Sequence, residues 1–243
     1  GPLNVLGGTV WKPSNNLFGI LPMILGSIYV TAGAIIIGVP IGIFMAVFMA
    51  RFCPGSLYKI LKPAVELLAG IPSIVYGFFG MEVLVPLLRN TFAVFNCKGN
   101  SMLAASILLG IMILPTIIVV SESAIRAVPN SYYEGSLALG ADHERSVFFA
   151  VLPAAKSGIL AGVVLGIGRA IGETMAVIMV AGNQPAMAHS IFKGVRTMTA
   201  NVVIEMGYAT GIHREALIAT GVVLFVFILL INLLFSVIKR REK

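Results

Sequence analysis

Five stretches of this chain are apolar for long enough to cross a lipid bilayer, and that pattern limits the fold more than any motif in it. They lie at about 21–50, 63–88, 102–120, 158–181 and 216–238, and roughly 20 consecutive apolar residues suffice for a helix to traverse the hydrocarbon core. Of the 243 residues only 11% are charged and 58% are apolar, whereas a water-soluble domain carries about 25% charge. Such a chain cannot cover a surface facing water. Inside hydrocarbon each backbone polar group must be satisfied within the protein, so runs of this length span as helices. An all-α integral membrane protein is expected. The 26 glycines and 12 prolines, many of them inside the apolar runs, do not contradict this, because neighbouring helices re-satisfy freed backbone groups.

Basic residues give the chain its sidedness. Of 17 Lys and Arg, ten lie in one alternating set of connections, six in the other, and Arg169 within a span. Cytoplasmic connections are enriched in these residues, so Arg51, Lys59, Lys62, Arg126, Arg145, Lys156 and a tail at 239–243 are expected in the cytoplasm. The same distribution explains the net charge of +7 without nucleic acid as a partner, since no basic soluble face is formed. Cys53 and Cys97 then fall on opposite sides and cannot pair, and no histidine neighbours either, so no metal site is expected. Residues 1–20 form an extracytoplasmic lead-in carrying Trp11 and lack the features of a secretory signal. Five spans leave the N-terminus outside, and a further span upstream of residue 1 is expected for that reason.

Two connections, 121–156 and 182–215, are longer than simple turns, and long ordered connections tend to carry function. In the cytoplasmic one, Pro129 ends a helix, and Asn130 or Ser131 can cap the next with Glu134 in its first turn. Gly140 is a helix stop in the left-handed conformation. Asp142 can cap a second short helix over 144–151, which Pro153 is expected to end. The product is a compact two-helix knob, although an ordinary interfacial loop fits the same signals.

Glu134, Gly140, Leu152 and Pro153 stand at the spacings of the coupling loop of ABC importer permeases, which this segment resembles. That motif reads Glu-Ala-Ala, three residues, Gly, nine residues, an aliphatic, any residue, Leu-Pro. Gly135, Ser136 and Ala150 depart from it. The resemblance implies that the short helix around Leu137, Ala138, Leu139, Gly140 and Asp142 docks on an ATPase subunit. The chain has no phosphate loop of the form GxxxxGK[ST], so ATP with its Mg belongs on a partner, and no catalytic residue or cofactor is expected here.

Within the fourth span Arg169 and Glu173 are four apart, on one face of a continuous helix that also carries Gly158, Gly162, Gly166 and Ala176. Charges at mid-membrane cost about 2.5–3.5 kcal/mol each, and small residues admit close helix approach, so this stripe should turn inward. It can be a self-neutralising pair that locks packing, or an anion pathway in which Arg169 attracts and Glu173 prevents over-tight binding, with Thr174 beside them. In the second span Pro72 disfavours helical geometry at Ile71. The helix either kinks or breaks near 70–73, and a break would let Ser73 and Tyr76 offer hydroxyls to an oxyanion.

The stretches WKPSNNLFGILPMILGS (11–27), AGIPSIVYGFFG (69–80), GRAIGETMAVIMVAGN (168–183) and VRTMTANVVIEMGYATGIHREAL (195–217), together with the coupling loop, are similar to the PstC-type permease of phosphate ABC importers. The resemblance implies a type I importer core of five spans with a cytoplasmic coupling helix. It implies a paired PstA-type permease, two ATPase subunits and an extracytoplasmic phosphate-binding protein, in a bacterial or archaeal cell membrane. It also implies a role in transport for Arg169 and Glu173. Permeases for molybdate or sulfate share the coupling loop, and a channel or secondary carrier would also suit intramembrane charges; both stay open at this level.

Overall fold

The computed structural model describes residues 2–241; Glu242 and Lys243, the end of the expected tail, lie outside the described residues. After α1 (Pro2–Gly7) comes a short antiparallel hairpin of β1 (Trp11–Lys12) and β2 (Leu17–Phe18). The helices α2 (Leu21–Val47), α3 (Gly55–Gly70), α4 (Ser73–Phe79), α5 (Val85–Thr91) and α6 (Met102–Arg126) follow. Then come α7 (Asn130–Ala138), α8 (His143–Ser146), α9 (Leu152–Gly172), α10 (Met175–Val180), α11 (Met198–Met206) and α12 (Gly211–Arg241). Four helices, Leu21–Phe52, Met102–Arg126, His143–Gly172 and Gly211–Leu234, are long and apolar enough to cross a membrane. Among the described residues a further pair, Gly55–Gly70 and Ser73–Thr91, is long and apolar enough when taken together and is bent by 98° at the residues between, the geometry of a broken span or a re-entrant loop.

Hydrogen bonds sort the ends of these helices onto two faces. Arg51 Nη2 donates to Ile125 O at 3.2 Å and Arg126 Nη2 to Met49 O at 2.8 Å, which holds the ends of α2 and α6 side by side on the face of the knob. On the opposite face the amides of Met102 and Leu103 donate to the carbonyls of Lys193 and Ile191. There Trp11 Nε1 also reaches Glu205 Oε2 at 2.9 Å.

The core is centred on α6. Its Leu108, Leu109, Met112, Ile113 and Ile117 are at most 2% exposed, because α2 and α9 close on it from two sides through glycines. A Cβ on Gly38 of α2 would lie 2.8 Å from the carbonyl oxygen of Gly110, and one on Gly166 of α9 would lie 2.9 Å from Ile117 Cγ1. Lipid tails are as apolar as leucine, so contact of this closeness, rather than water exclusion, holds spanning helices together. Phe225, Leu230 and Leu233 of α12 stay exposed, as suits a lipid-facing helix.

Pro86 and Pro153 are passed over without ending their helices. Wide π-turns occupy Phe48–Phe52, Gly80–Leu84 and Val147–Val151, each ending two residues before Pro54, Pro86 or Pro153; the helix stops at Cys53 in the first and continues in the other two. A proline lacks its own N–H and crowds the carbonyl four residues back; widening the turn moves that carbonyl aside. The Leu152 amide accordingly donates to Val147 O, five residues back. The expectation that Pro153 ends a short helix is corrected: α8 runs through Val147–Val151 into α9 as one 30-residue helix. Likewise α6 continues past 120 to Arg126, carrying Glu122 inside the helix.

Candidate functional site

The chain is interrupted between α3 and α4 and again between α9 and α10, and α4 packs against α10. Between α3 and α4, Ile71 has φ −69° and ψ 128°, and Pro72 is extended at ψ 141°. Tyr76 Oη donates to the carbonyl of Leu68 at 2.8 Å, which also accepts from the Ile71 amide at 3.4 Å, so this hydroxyl ties α4 back to the end of α3 and is not left free as the sequence suggested. Ser73 is the first residue of α4 and half-buried. Gly77 of α4 then seats against α10, where a Cβ would meet Met179 Sδ at 2.6 Å and Ala176 Cα at 3.1 Å.

The fourth span breaks at the charged motif itself. Helix α9 stops at Gly172, and Glu173 is extended at φ −69° and ψ 133°. Arg169 and Glu173 therefore do not share a face of one helix, contrary to the continuous span expected. Glu173 Oε1 accepts from the amides of Thr174 at 3.1 Å and Ala176 at 3.3 Å, capping α10 as a carboxylate suits a helix N-terminus. Thr174 Oγ1 donates to Gly172 O at 3.2 Å, and Thr199 Oγ1 of α11 donates to Glu173 O at 3.1 Å. Arg169 Nη1 reaches Thr116 Oγ1 of α6 at 3.5 Å. The glycines of the stripe turn inward: Gly158, Gly162 and Gly166 pack on Ala124, Ser121 and Ile117 of α6. Behind the break, Ser27, Thr31, Glu173 and Thr197 line a cavity of about 10 Å³, room for a single water.

The structure thus brings Arg169, Tyr76, Glu173 and Thr174 to the junction of two interrupted helices. Non-helical backbone at membrane depth persists where it is buried in protein or lines a passage. One cation, several hydroxyls and amide-held carboxylate oxygens at such a junction can receive and release an anion.

The knob lies at the other end of α9. Gly140 is left-handed at φ 88°, and its amide closes onto Leu137 O at 2.9 Å. Asp142 Oδ1 accepts from the Arg145 amide at 2.7 Å and caps α8. Ser146 Oγ joins Ser136 Oγ at 3.0 Å, and Tyr133 Oη pairs with His143 Nδ1 at 2.7 Å, so α7 and α8 are tied into one wedge. Glu134, Ala138 and Leu139 point outward, and Leu139 is 91% exposed. Two details differ from expectation. The residue before α7 is Pro129, with no side-chain cap from Asn130 or Ser131, and Glu134 sits beyond the first turn. Pro129 already pre-sets the chain direction, which leaves no need for a side-chain acceptor.

Two polar clusters escaped sequence reasoning. Glu122, 1% exposed, accepts from Lys62 Nζ at 2.7 Å, Tyr58 Oη at 2.8 Å and Arg126 Nε. Its i,i+4 spacing to Arg126 inside a helical apolar stretch was the available signal. On the opposite face Glu205, also buried, accepts from Trp11, Arg196 and His213. No local spacing links Trp11 to Glu205, 194 residues apart, and His213 lies in the first turn of α12 rather than in a loop.

Residues 38–243 match the family described as binding-protein-dependent transport system inner membrane component. A probable ABC transporter permease protein, YqgH of Bacillus subtilis (strain 168), is 40% identical over 97% of this chain and 78% of its own length. The phosphate transport system permease protein PstC of Mesorhizobium japonicum is 36% identical over 91% of this chain and 73% of its own. Among solved structures, an inward-facing MetNI methionine ABC transporter chain superposes with a TM-score of 0.74 and 19% identity, covering 96% of this chain and all of that one. This likeness extends the type I importer core to the present fold.

Proposed function

This chain belongs to the family of binding-protein-dependent transport system inner membrane components, and on that premise we propose that it is the permease subunit of an ATP-driven importer of inorganic phosphate. One observation carries the reading. The wedge on the knob face is continuous, through a single helix that carries Arg169, with the break at Glu173. A push on the wedge is thereby delivered to the anion junction. Phosphate as cargo is supported by the PstC proteins that the chain is similar to.

On this reading Arg169 attracts the anion into the junction of α4 and α10, with Ser73 nearby as a hydroxyl donor, while Tyr76 and Thr174, whose hydroxyl protons are held by backbone carbonyls, line the junction. Glu173 shapes the break and repels the anion once the site has to empty. Leu137, Ala138, Leu139 and Gly140 meet the groove of an ATPase, with Glu134, Asp142 and Pro153 setting the wedge's shape. The chain itself is a transport subunit. ATP with Mg is hydrolysed on two partner ATPase subunits, a PstA-type permease supplies the other half of the pathway, and an extracytoplasmic phosphate-binding protein delivers cargo. The protein is multi-pass in a bacterial or archaeal cell membrane, and the Lys and Arg bias puts the wedge and the C-terminus in the cytoplasm.

The test is uptake of labelled phosphate into proteoliposomes that hold both permeases and the ATPase, with the binding protein and its cargo outside. Uptake should require ATP inside and resist excess sulfate or molybdate. Competition by either oxyanion at equal concentration would overturn phosphate as the cargo. Arg169→Ala should lower uptake by roughly 10–100-fold, the loss of one charge-assisted hydrogen bond to an anion, and normal uptake in that variant would remove Arg169 from the pathway.

A further inference from the structure

We infer that Glu122 is a positioning residue of the transport cycle, the hub through which movement of the wedge reaches the bent pair α3–α4. The inference rests on the proposed ATP-driven import and adds a second mechanical route beside the direct one along α9.

The route begins at the wedge. Tyr133 of α7 holds His143 through its hydroxyl, its ring lies under the Arg51 guanidinium at 5.9 Å, and Phe52 meets the His143 ring edge-on at 4.9 Å. The end of α2 is therefore fastened to the wedge. Arg51 in turn donates to Ile125 O near the end of α6, while Arg126 donates to Met49 O near the end of α2. Each helix has a terminal carbonyl satisfied by the other's arginine, so the two ends move together. Arg126 also engages Glu122 through Nε and lies over the Tyr58 ring at 4.4 Å.

From Glu122 the route passes to α3. A carboxylate buried to this degree is costly unless all its partners are in place, and two of its three donors, Lys62 and Tyr58, belong to α3. In that helix Ile60 and Leu67 are 69% and 73% exposed, while Val65 is its one buried residue, packed with Met49 and Ile118. Beside that small apolar cluster, the two donors to Glu122 are the polar ties that seat α3 on α6. Helix α3 ends at Ile71–Pro72, the break across which the Tyr76 hydroxyl reaches back to Leu68 O. Networks of packed side chains and hydrogen bonds carry coupling when they bias an element with two arrangements, and on this inference the 98° bend between α3 and α4 takes that role.

A pair that merely locks packing would weaken every activity alike, whereas a positioning residue uncouples them. In the assembled transporter, Glu122→Gln should raise the ATP hydrolysed per phosphate imported about tenfold, within the usual range of coupling between sites. Lys62→Met combined with Glu122→Gln should raise it no further. An unchanged ratio in Glu122→Gln, whether both rates fall together or neither moves, overturns the inference. If that variant fails to assemble, Tyr58→Phe, which removes one donor alone, takes its place with the same two outcomes. A second measurement needs no cargo. In a Cys53→Ser, Cys97→Ser background, spin labels at Ser56→Cys on α3 and Ser131→Cys on α7 should keep one narrow distance when ATP is added, and Glu122→Gln should broaden it. A distance that broadens in the parent protein, or stays narrow in the variant, refutes the linkage. Absence of phosphate uptake in the parent transporter would sink the phosphate reading and leave this distance test standing.

Discussion

Glu173 shows how a charged residue can be placed by backbone geometry rather than by an opposite charge. Its carboxylate turns back on the amides of Thr174 and Ala176, two donors that any helix starting at Met175 leaves without a carbonyl partner. Replacing it with alanine should destabilise the detergent-solubilised protein by about 1 kcal/mol, the usual cost of a lost cap, whereas Glu173→Gln, whose carbonyl oxygen still accepts, should melt close to the parent. Thermal unfolding of the two variants checks this, and equal melting of Glu173→Ala and parent would remove the cap from the account. The identity and neighbourhood of Arg169 and Glu173 were legible in the sequence. Their separation was not, because hydropathy stays high through Gly172 and Thr174, and a break in hydrogen bonding leaves no trace in it.

Among the elements, α6 is the one against which the others are set. Its pairing with α2 rests on glycines whose missing side chains let two backbones touch, so Gly38→Leu should be poorly tolerated. The side chain would run into Gly110 O and Ile113, and overpacking of this kind costs about 1–3 kcal/mol or more. Yield and melting temperature of the folded protein are the readouts; a variant as stable as the parent would mean that α2 and α6 separate without penalty. The helices themselves were read from apolar run length, and the knob from its turn residues. Pro153 was misread, since a local rule that proline ends a helix ignores the π-turn by which a packed helix can pass over it, while Pro129 and Pro72 do lie at helix ends. Glu122 was likewise assigned to a loop, as a span counted by apolar residues stops at the first charge, while a helix whose charge finds partners on α3 continues.

For the whole molecule, the two faces are held by buried carboxylates, Glu122 at one end and Glu205 at the other. Glu205 joins the hairpin, α11 and α12 through Trp11, Arg196 and His213. Glu205→Gln leaves the largely buried Arg196 without its counter-charge and should cost about 3–5 kcal/mol, while Trp11→Phe, which loses one hydrogen bond, should cost about 1 kcal/mol. Limited proteolysis at residues 7–19 should speed up in that order, and equal rates would show that the hairpin is held by other contacts. The sequence by itself determined the solvent of this protein, its helical class, the wedge and the charged residues that lie at the break of the fourth span, because hydropathy, turn chemistry and motif spacing are local properties of the chain. Only the tertiary structure decided where spans break, which carbonyls the arginines satisfy and which carboxylates are buried, because each of these depends on partners brought together from distant segments by helix packing.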